Sequence, residues 1–252
     1  MRHFFNKIQQ SSIVAWTIVV LLWAIAYLYV NNPLLIPSPL ETAITFKELV
    51  GTPKFINYLS NSLYDLLTGW IVAMLVLALV SLLMLMSIRF SDYMRNIAAG
   101  WQATPTFAVA PVVLTIFGYS RTSALVMLVW GVIWYAIMHL ASDINEAKRN
   151  WQKQIANIQW GYLKQWRNVY IPAILPRFLI VAKNAWAMMW RILIAIEVLF
   201  GSISGGYGLG SWMMETKVDY ALTETWSILI VIIIAGITIN KIFDLIIKRI
   251  DW

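Results

Sequence analysis

Long apolar runs alternate with short polar breaks along the chain. The runs lie at about residues 13–30, 56–88, 97–117, 122–141, 178–200 and 226–247. Most approach or exceed the ~20 apolar residues a helix needs to cross a bilayer. They predict an all-α membrane protein of six spanning helices, folded as a single domain over residues 1–252. The first run follows a polar start with Arg2 and Lys7. It is too long for the apolar segment of a signal peptide and lacks a small-x-small cleavage site, so it reads as a retained span.

The breaks carry their own chemistry. Pro33, Pro37 and Pro39 exclude a regular helix there, because each removes a donor and fixes φ. Ser38 or Glu41 can then open a short amphipathic helix through Leu49, lying on the membrane surface. In the second span Asp65 sits near the outer end, and Gly69 and Ala73 form a small-x-x-x-small pair that lets another helix approach closely. Arg89, Asp92 and Arg95 mark a short polar loop. The third span contains Pro105 and Pro111. Prolines free backbone carbonyls, which a membrane tolerates only where protein or a water-filled cavity satisfies them. The span is therefore either a kinked packing helix or a segment lining a pathway. Gly118-Tyr119-Ser120-Arg121 is a tight turn, residues 142–176 are the longest polar stretch, and residues 202–220 form a glycine-rich loop.

Composition narrows the class. The chain is 60% hydrophobic and 12% charged, with a mean hydropathy of +0.70. Soluble domains average roughly 45–50% apolar and about 25% charged. A soluble enzyme, a disordered chain, collagen and a disulfide scaffold are all excluded. There are no cysteines, which removes disulfides and thiol chemistry. The net charge of +7 comes from Lys and Arg set between apolar runs, where they fix topology rather than bind nucleic acid. The two termini and the loops near residue 92 and at 142–176 hold eleven Lys or Arg. The alternate loops hold four: Lys47, Lys54, Arg121 and Lys217. This asymmetry predicts that both termini and the long polar loop are cytoplasmic.

The long loop has a pattern. Trp151, Ile155, Ile158, Tyr162 and Trp166 recur at spacings of three and four, one apolar stripe on a helix. Lys148, Lys153 and Lys164 fall mostly off it. Such a helix can lie on lipid headgroups, fold back on the spans, or dock in a groove of a cytoplasmic partner.

Candidate chemistry is sparse. No Gly-x-x-x-x-Gly-Lys-Ser/Thr phosphate loop occurs, so the chain is not expected to hydrolyse ATP or to be an enzyme. No ligand cluster for a metal is present, and His3 and His139 are solitary and read as structural. The glycines at 205–210, Gly206 and Gly208 among them, suit a sharp re-entrant turn near a pathway mouth. Ionisable residues inside spans weigh most, since an unpaired charge in hydrocarbon costs about 2.5–3.5 kcal/mol or more. Lys183, Arg191 and Glu197 all belong to the fifth span. Lys183 can snorkel toward the cytoplasm. Arg191 and Glu197 lie about 9 Å apart along the axis. They either neutralise charges on other spans, such as Asp65, or line a polar pathway in which Arg191 attracts an anionic solute.

Several phrases occur in a telling order. They are Pro37-Ser38-Pro39, Val169-Tyr170-Ile171-Pro172-Ala173-Ile174-Leu175-Pro176, Trp190 followed by Glu197, and Gly205-Gly206-Tyr207-Gly208-Leu209-Gly210. Together, over about residues 34–252, they resemble the permease subunits of bacterial ABC importers. The likeness is to the group moving sulfonates, taurine, nitrate and vitamin precursors. The resemblance implies a type I importer-like permease in the bacterial inner membrane. It implies two permease copies on two ATP-binding cassette ATPase subunits, a periplasmic or lipid-anchored solute-binding protein, and no cofactor beyond the ATP held by the partner. It implies that Trp151, Lys153, Ile155, Ala156, Ile158, Gln159, Gly161 and Tyr162 form the coupling helix. Pro105, Pro111, Trp190, Arg191, Glu197, Gly206 and Gly208 would line the pathway. In the family the coupling motif opens with Glu-Ala-Ala and has a Gly six residues on. Here Lys153 and Gln159 occupy the Glu and Gly positions, Ala156 keeps a small residue between them, and Glu146, Ala147 and Gly161 lie off register. The implied mechanism is alternating access driven through that loop. The rivals are an ion-gradient carrier, for which only Asp65 and Glu197 could couple ions, and a scaffold that moves nothing.

Overall fold

The computed structural model describes residues 2–158, 161–200 and 208–248, without the side chains of 2–13, 152–154, 156–158, 162–163 and 246–248. The described residues are helical with short connections and no strand. In chain order the helices are α1 (Arg2–Val30), α2 (Pro39–Leu49), α3 (Pro53–Met86), α4 (Ile88–Gln102) and α5 (Ala110–Phe117). A 3-10 turn (Thr106–Val109) precedes α5. There follow α6 (Arg121–Ile158), α7 (Tyr162–Gln165), a π-helical turn (Trp166–Tyr170), α8 (Ile171–Phe200), α9 (Leu209–Val218) and α10 (Leu222–Lys248).

Four of these segments are long and apolar enough to cross a membrane, namely α3, α6, α8 with its π turn, and α10. Val14–Val30 of α1 is a shorter apolar helix. The third expected span is not one rod. α4 and the segment Thr106–Phe117 meet at 91°. Pro105 is the cause: it has no N–H to donate and biases Thr104 out of the helical region. The polar loop expected around residue 92 is instead the first turns of α4. Ser87 stops α3 and starts α4, being extended at both boundaries and accepting a hydrogen bond from Phe90 N.

Two other boundaries move. The fourth span does not end near residue 141, because α6 runs on to Ile158. Between Val132 and Ile158 there is no glycine or proline, and Ala, Glu, Lys, Arg and Gln in its polar half sustain a helix once the apolar half has nucleated it. The fifth span likewise starts early, at Ile171, with Pro172 in the first turn where its missing N–H costs nothing. The glycine-rich loop contains the helix α9.

The interior is an α3–α6–α8 bundle. Leu66, Leu77, Met84, Leu128, Leu140 and Leu193 are almost wholly removed from solvent. Gly69 and Ala73 sit on the packing face as the spacing predicts: a Cβ on Gly69 would stand 3.1 Å from Met189 Cε and 3.3 Å from Leu128 Cδ1. On the opposite side Gly236 of α10 receives the Trp190 indole, whose Nε1 would be 2.6 Å from a Cβ there. α1 joins at the edge. Trp23 stacks on Trp226 at 5.1 Å and donates to the Pro37 carbonyl at 3.1 Å, while Leu21, Leu22, Ile25 and Leu28 remain exposed to the surrounding lipid.

Several charges in the spans are paired. Arg121 at the start of α6 holds Asp65 of α3 and lies over the Tyr64 ring at 4.2 Å. Lys183 binds Asp244 of α10, so it is anchored sideways rather than left to snorkel. Arg177 reaches Asp143 at 3.6 Å.

Candidate translocation pathway and coupling surface

The break at Pro105 opens a cavity of about 290 Å³ against α6 and α8. Gln102, Thr104, Pro105 and Thr106 form one wall, Trp130, Gly131, Trp134 and Tyr135 a second, and Met188 and Ile192 a third. Trp130 and Tyr135 are nine and fourteen residues into α6. They lie about 13 and 21 Å along its axis, within the stretch Arg121–Trp151 that is long and apolar enough to cross a membrane. Irregular backbone at that depth is tolerated where it borders a cavity, and here it does. Gly131 permits the close fit: a Cβ there would be 2.7 Å from Ile192 Cδ1 and 3.0 Å from Thr106 Oγ1.

Three indoles frame this space. Trp101 meets Trp130 edge-on at 5.0 Å and stacks with Trp134 at 6.0 Å, and Trp130 and Trp134 meet edge-on at 5.1 Å. Tyr135 accepts from Asn184 Nδ2 at 3.2 Å and packs its ring on His139 at 4.4 Å.

A polar face continues from the cavity. On α6, Tyr135, His139, Ser142 and Glu146 follow at helical spacing and are partly or fully exposed. On α8, Arg177, Asn184 and Arg191 do the same. Arg191 is exposed and donates Nε to its own helix at Ala187 O, 3.3 Å away. Among the described residues no carboxylate pairs with it. Charged and hydrogen-bonding groups in this number do not face lipid chains, so the face belongs to water or to another protein surface.

Glu197 is placed differently from the expectation. It is 7% exposed, accepts from Ser62 Oγ of α3 at 2.7 Å and from Gly210 N of α9 at 2.8 Å, and Ser62 in turn accepts from Leu209 N at 2.9 Å. These bonds clasp α9 onto α3 and α8. Gly208 and Gly210 are bare because the clasp fills their side-chain space. A Cβ on Gly208 would enter the Glu197 carboxylate, and one on Gly210 would be 2.6 Å from the Ile194 carbonyl oxygen. Trp190 is likewise buried, at 5% exposed. Trp190, Glu197 and Gly208 are thus packed in the interior of the chain. Pro105 lines the cavity. Pro111 sits in the first turn of α5 and borders a separate shallow hollow with Phe107, Leu114 and Tyr119. Gly206 lies outside the described residues.

The expected coupling segment is described in part. Trp151 is exposed near the C-terminal end of α6, Ile155 is buried, and Gly161 is exposed between α6 and α7. Gln159 and the side chains of Lys153, Ala156, Ile158 and Tyr162 lie outside the described residues. Trp166 packs on the core, so the stripe is turned inward at Ile155 and Trp166 and outward at Trp151. Beside it lies a cavity of about 620 Å³ bordered by Asp92, Asn145, Lys148, Arg149 and Tyr170. Lys148 Nζ donates to the Met84 carbonyl at 3.0 Å and Asn145 Nδ2 to Asp92 at 2.8 Å, tying α6 to the C-terminal end of α3 and to α4. Sequence reading had no signal for these cross-helix ties, because their members lie far apart in the chain. For the indole cluster it had one, the i, i+4 pair Trp130 and Trp134.

Comparison with known proteins decides the family. Residues 71–251, well over half the chain, match the model for the binding-protein-dependent transport system inner membrane component. The chain belongs to that family. It is an ABC-importer permease, a multi-pass membrane protein. Among relatives, the putative aliphatic sulfonates transport permease SsuC of Bacillus subtilis is 22% identical over 87% of this chain and 78% of its own length. The formylaminopyrimidine transport permease ThiX of Halalkalibacterium halodurans is 22% identical over 64% of each chain. The nitrate import permease NrtB of Leptolyngbya laminosa is 20% identical over 76% of this chain and 67% of its own. Among solved structures, a chain of the inward-facing MetNI methionine ABC transporter superposes with a TM-score of 0.59 at 15% identity, covering 80% of this permease and all of that chain. The fold is therefore of that importer type.

Proposed function

We propose that this permease conducts a small organic anion. The proposal extends to its assembly: two copies meet along the polar face of α6 and α8, and a separate ATP-binding cassette ATPase grips the segment around Trp151–Tyr162. The observation that carries the reading is Arg191, an exposed guanidinium on α8 beside the cavity at the Pro105 break, with no carboxylate partner among the described residues. A cation so placed attracts anions where the low dielectric strengthens every charge interaction. In a two-fold assembly two such groups would flank one passage. The sulfonate and nitrate named for the relatives are anions, which agrees with this reading.

Energy enters from outside the chain. ATP binding closes the ATPase pair, the gripped segment moves, and α6 and α8 reorient so that the cavity faces one side and then the other. A solute-binding protein delivers the cargo, as the family description implies. The permease supplies a passage, not a catalyst. The test is reconstitution with the ATPase and binding protein in liposomes. Uptake of an alkanesulfonate should need ATP, and Arg191→Gln should depress it more than uptake of any neutral solute. Equal depression of both would remove the anion reading, and uptake without the ATPase would remove the coupling.

A further inference from the structure

The lining of the cavity at the Pro105 break says more than that its cargo is charged. Every residue bordering it is uncharged. Three of the residues bordering it are the Trp101, Trp130 and Trp134 indoles, packed at 5.0–6.0 Å from one another, and Thr104 and Thr106 border it as well. Arg191 follows Met188 by three residues and precedes Ile192, both of which border the cavity, so the charge sits on the helix that forms one wall while the lining itself combines indoles with uncharged polar groups. A solute matched to this distribution has two unlike ends. One bears a single negative charge for the guanidinium, and the other is a compact flat carbon body for the indole faces. Aromatic pairs add about 0.5–1.5 kcal/mol beyond the area they bury. An apolar cavity of about 150 Å³ already holds benzene, so 290 Å³ has room for one ring with its anionic group.

Resting on the anion reading above, we infer that the cavity is a selectivity site for an aromatic monoanion of one-ring size, such as an arenesulfonate. Nitrate and the shortest alkanesulfonates satisfy Arg191 but leave the indoles without a partner.

The test uses the intact permease in lipid nanodiscs with benzenesulfonate, methanesulfonate, nitrate and benzyl alcohol as probes, read by saturable quenching of tryptophan fluorescence. Benzenesulfonate should bind about fivefold to tenfold more tightly than methanesulfonate, the gain one aromatic contact supplies. Trp134→Leu should erase that advantage, and Trp134→Phe, which keeps a ring, should retain most of it. Arg191→Gln should weaken both sulfonates alike. Equal binding of the two sulfonates, each dependent on Arg191, would overturn the ring contact and leave the anion pathway standing. Benzyl alcohol binding as tightly as benzenesulfonate, with no effect of Arg191→Gln, would overturn both. Absence of saturable quenching by benzenesulfonate would overturn the site.

Discussion

Arg191 and Glu197 are six residues apart on the same helix, carry opposite charge, and occupy opposite kinds of surroundings. Glu197 is sealed between α3 and α9 and spends both oxygens on Ser62 and the Gly210 amide. Arg191 is exposed and contacts only a backbone carbonyl of its own helix among the hydrogen bonds described. The difference teaches that an ionisable residue inside a span does not mark a passage by its presence. Its partners decide. A carboxylate whose acceptor sites are filled by neighbouring helices is a fastener, and a guanidinium left open in the same bilayer is available to cargo.

The contrast breaks most sharply at the fastener. Gly208→Ala and Gly210→Ala force a methyl into the Glu197 carboxylate and the Ile194 carbonyl, and should cost more than about 3 kcal/mol. Thermal unfolding of the purified permease in detergent would show it, and a native-like midpoint would refute the clasp. Next in size is Glu197→Ala, which orphans the Gly210 amide and the Ser62 hydroxyl at about 2–3 kcal/mol. Glu197→Gln keeps an acceptor and should lose roughly half as much, while transport per folded molecule stays unchanged in both. At Arg191 the pattern reverses. Arg191→Gln should leave the unfolding midpoint within about 0.5 kcal/mol but lower sulfonate uptake about tenfold, the worth of one charge-assisted hydrogen bond of ~1.5 kcal/mol. Uptake unchanged at Arg191, or depressed only through loss of protein, would erase the distinction. A separate check belongs to the C-terminal end of α6. Ile158→Glu should leave the chain inserted and folded but drop ATP-driven uptake severalfold, with ATP turnover no longer stimulated by solute. The smallest expected effect is at the edge, where Trp23→Ala removes one stacked ring and one hydrogen bond and should cost only about 1–2 kcal/mol.

Much of the fold is legible in the sequence because burial in lipid is written in composition. The apolar cores of α3, α6, α8 and α10 follow directly from hydropathy, and Gly69 and Ala73 from the need for close helix approach. The ends are not legible that way. Polar residues from Ser142 to Ile158 read as loop by hydropathy, yet they are good helix formers attached to a helix already nucleated, so α6 simply continues. Pro105 and Pro111 give the broken segment, but not its 91° angle, which depends on what α6 and α8 leave room for. The site is legible only at single residues. Arg191 and Pro105 stand out alone. The role of Glu197 rests on Ser62, 135 positions earlier, and no local pattern links them.

α6 is unbroken from its first turn to Ile158, 38 residues or about 57 Å of continuous helix. It carries Trp130, Trp134 and Tyr135 in one half and Trp151 in the other. A beam of that kind has no joint at which a push could be absorbed. Tilting its far end must swing the indole-bearing half in proportion, pivoting where Asp65 pins Arg121. Under the coupling proposed above, the chain would need no relay of small rearrangements between the ATPase's grip and the cargo, only leverage.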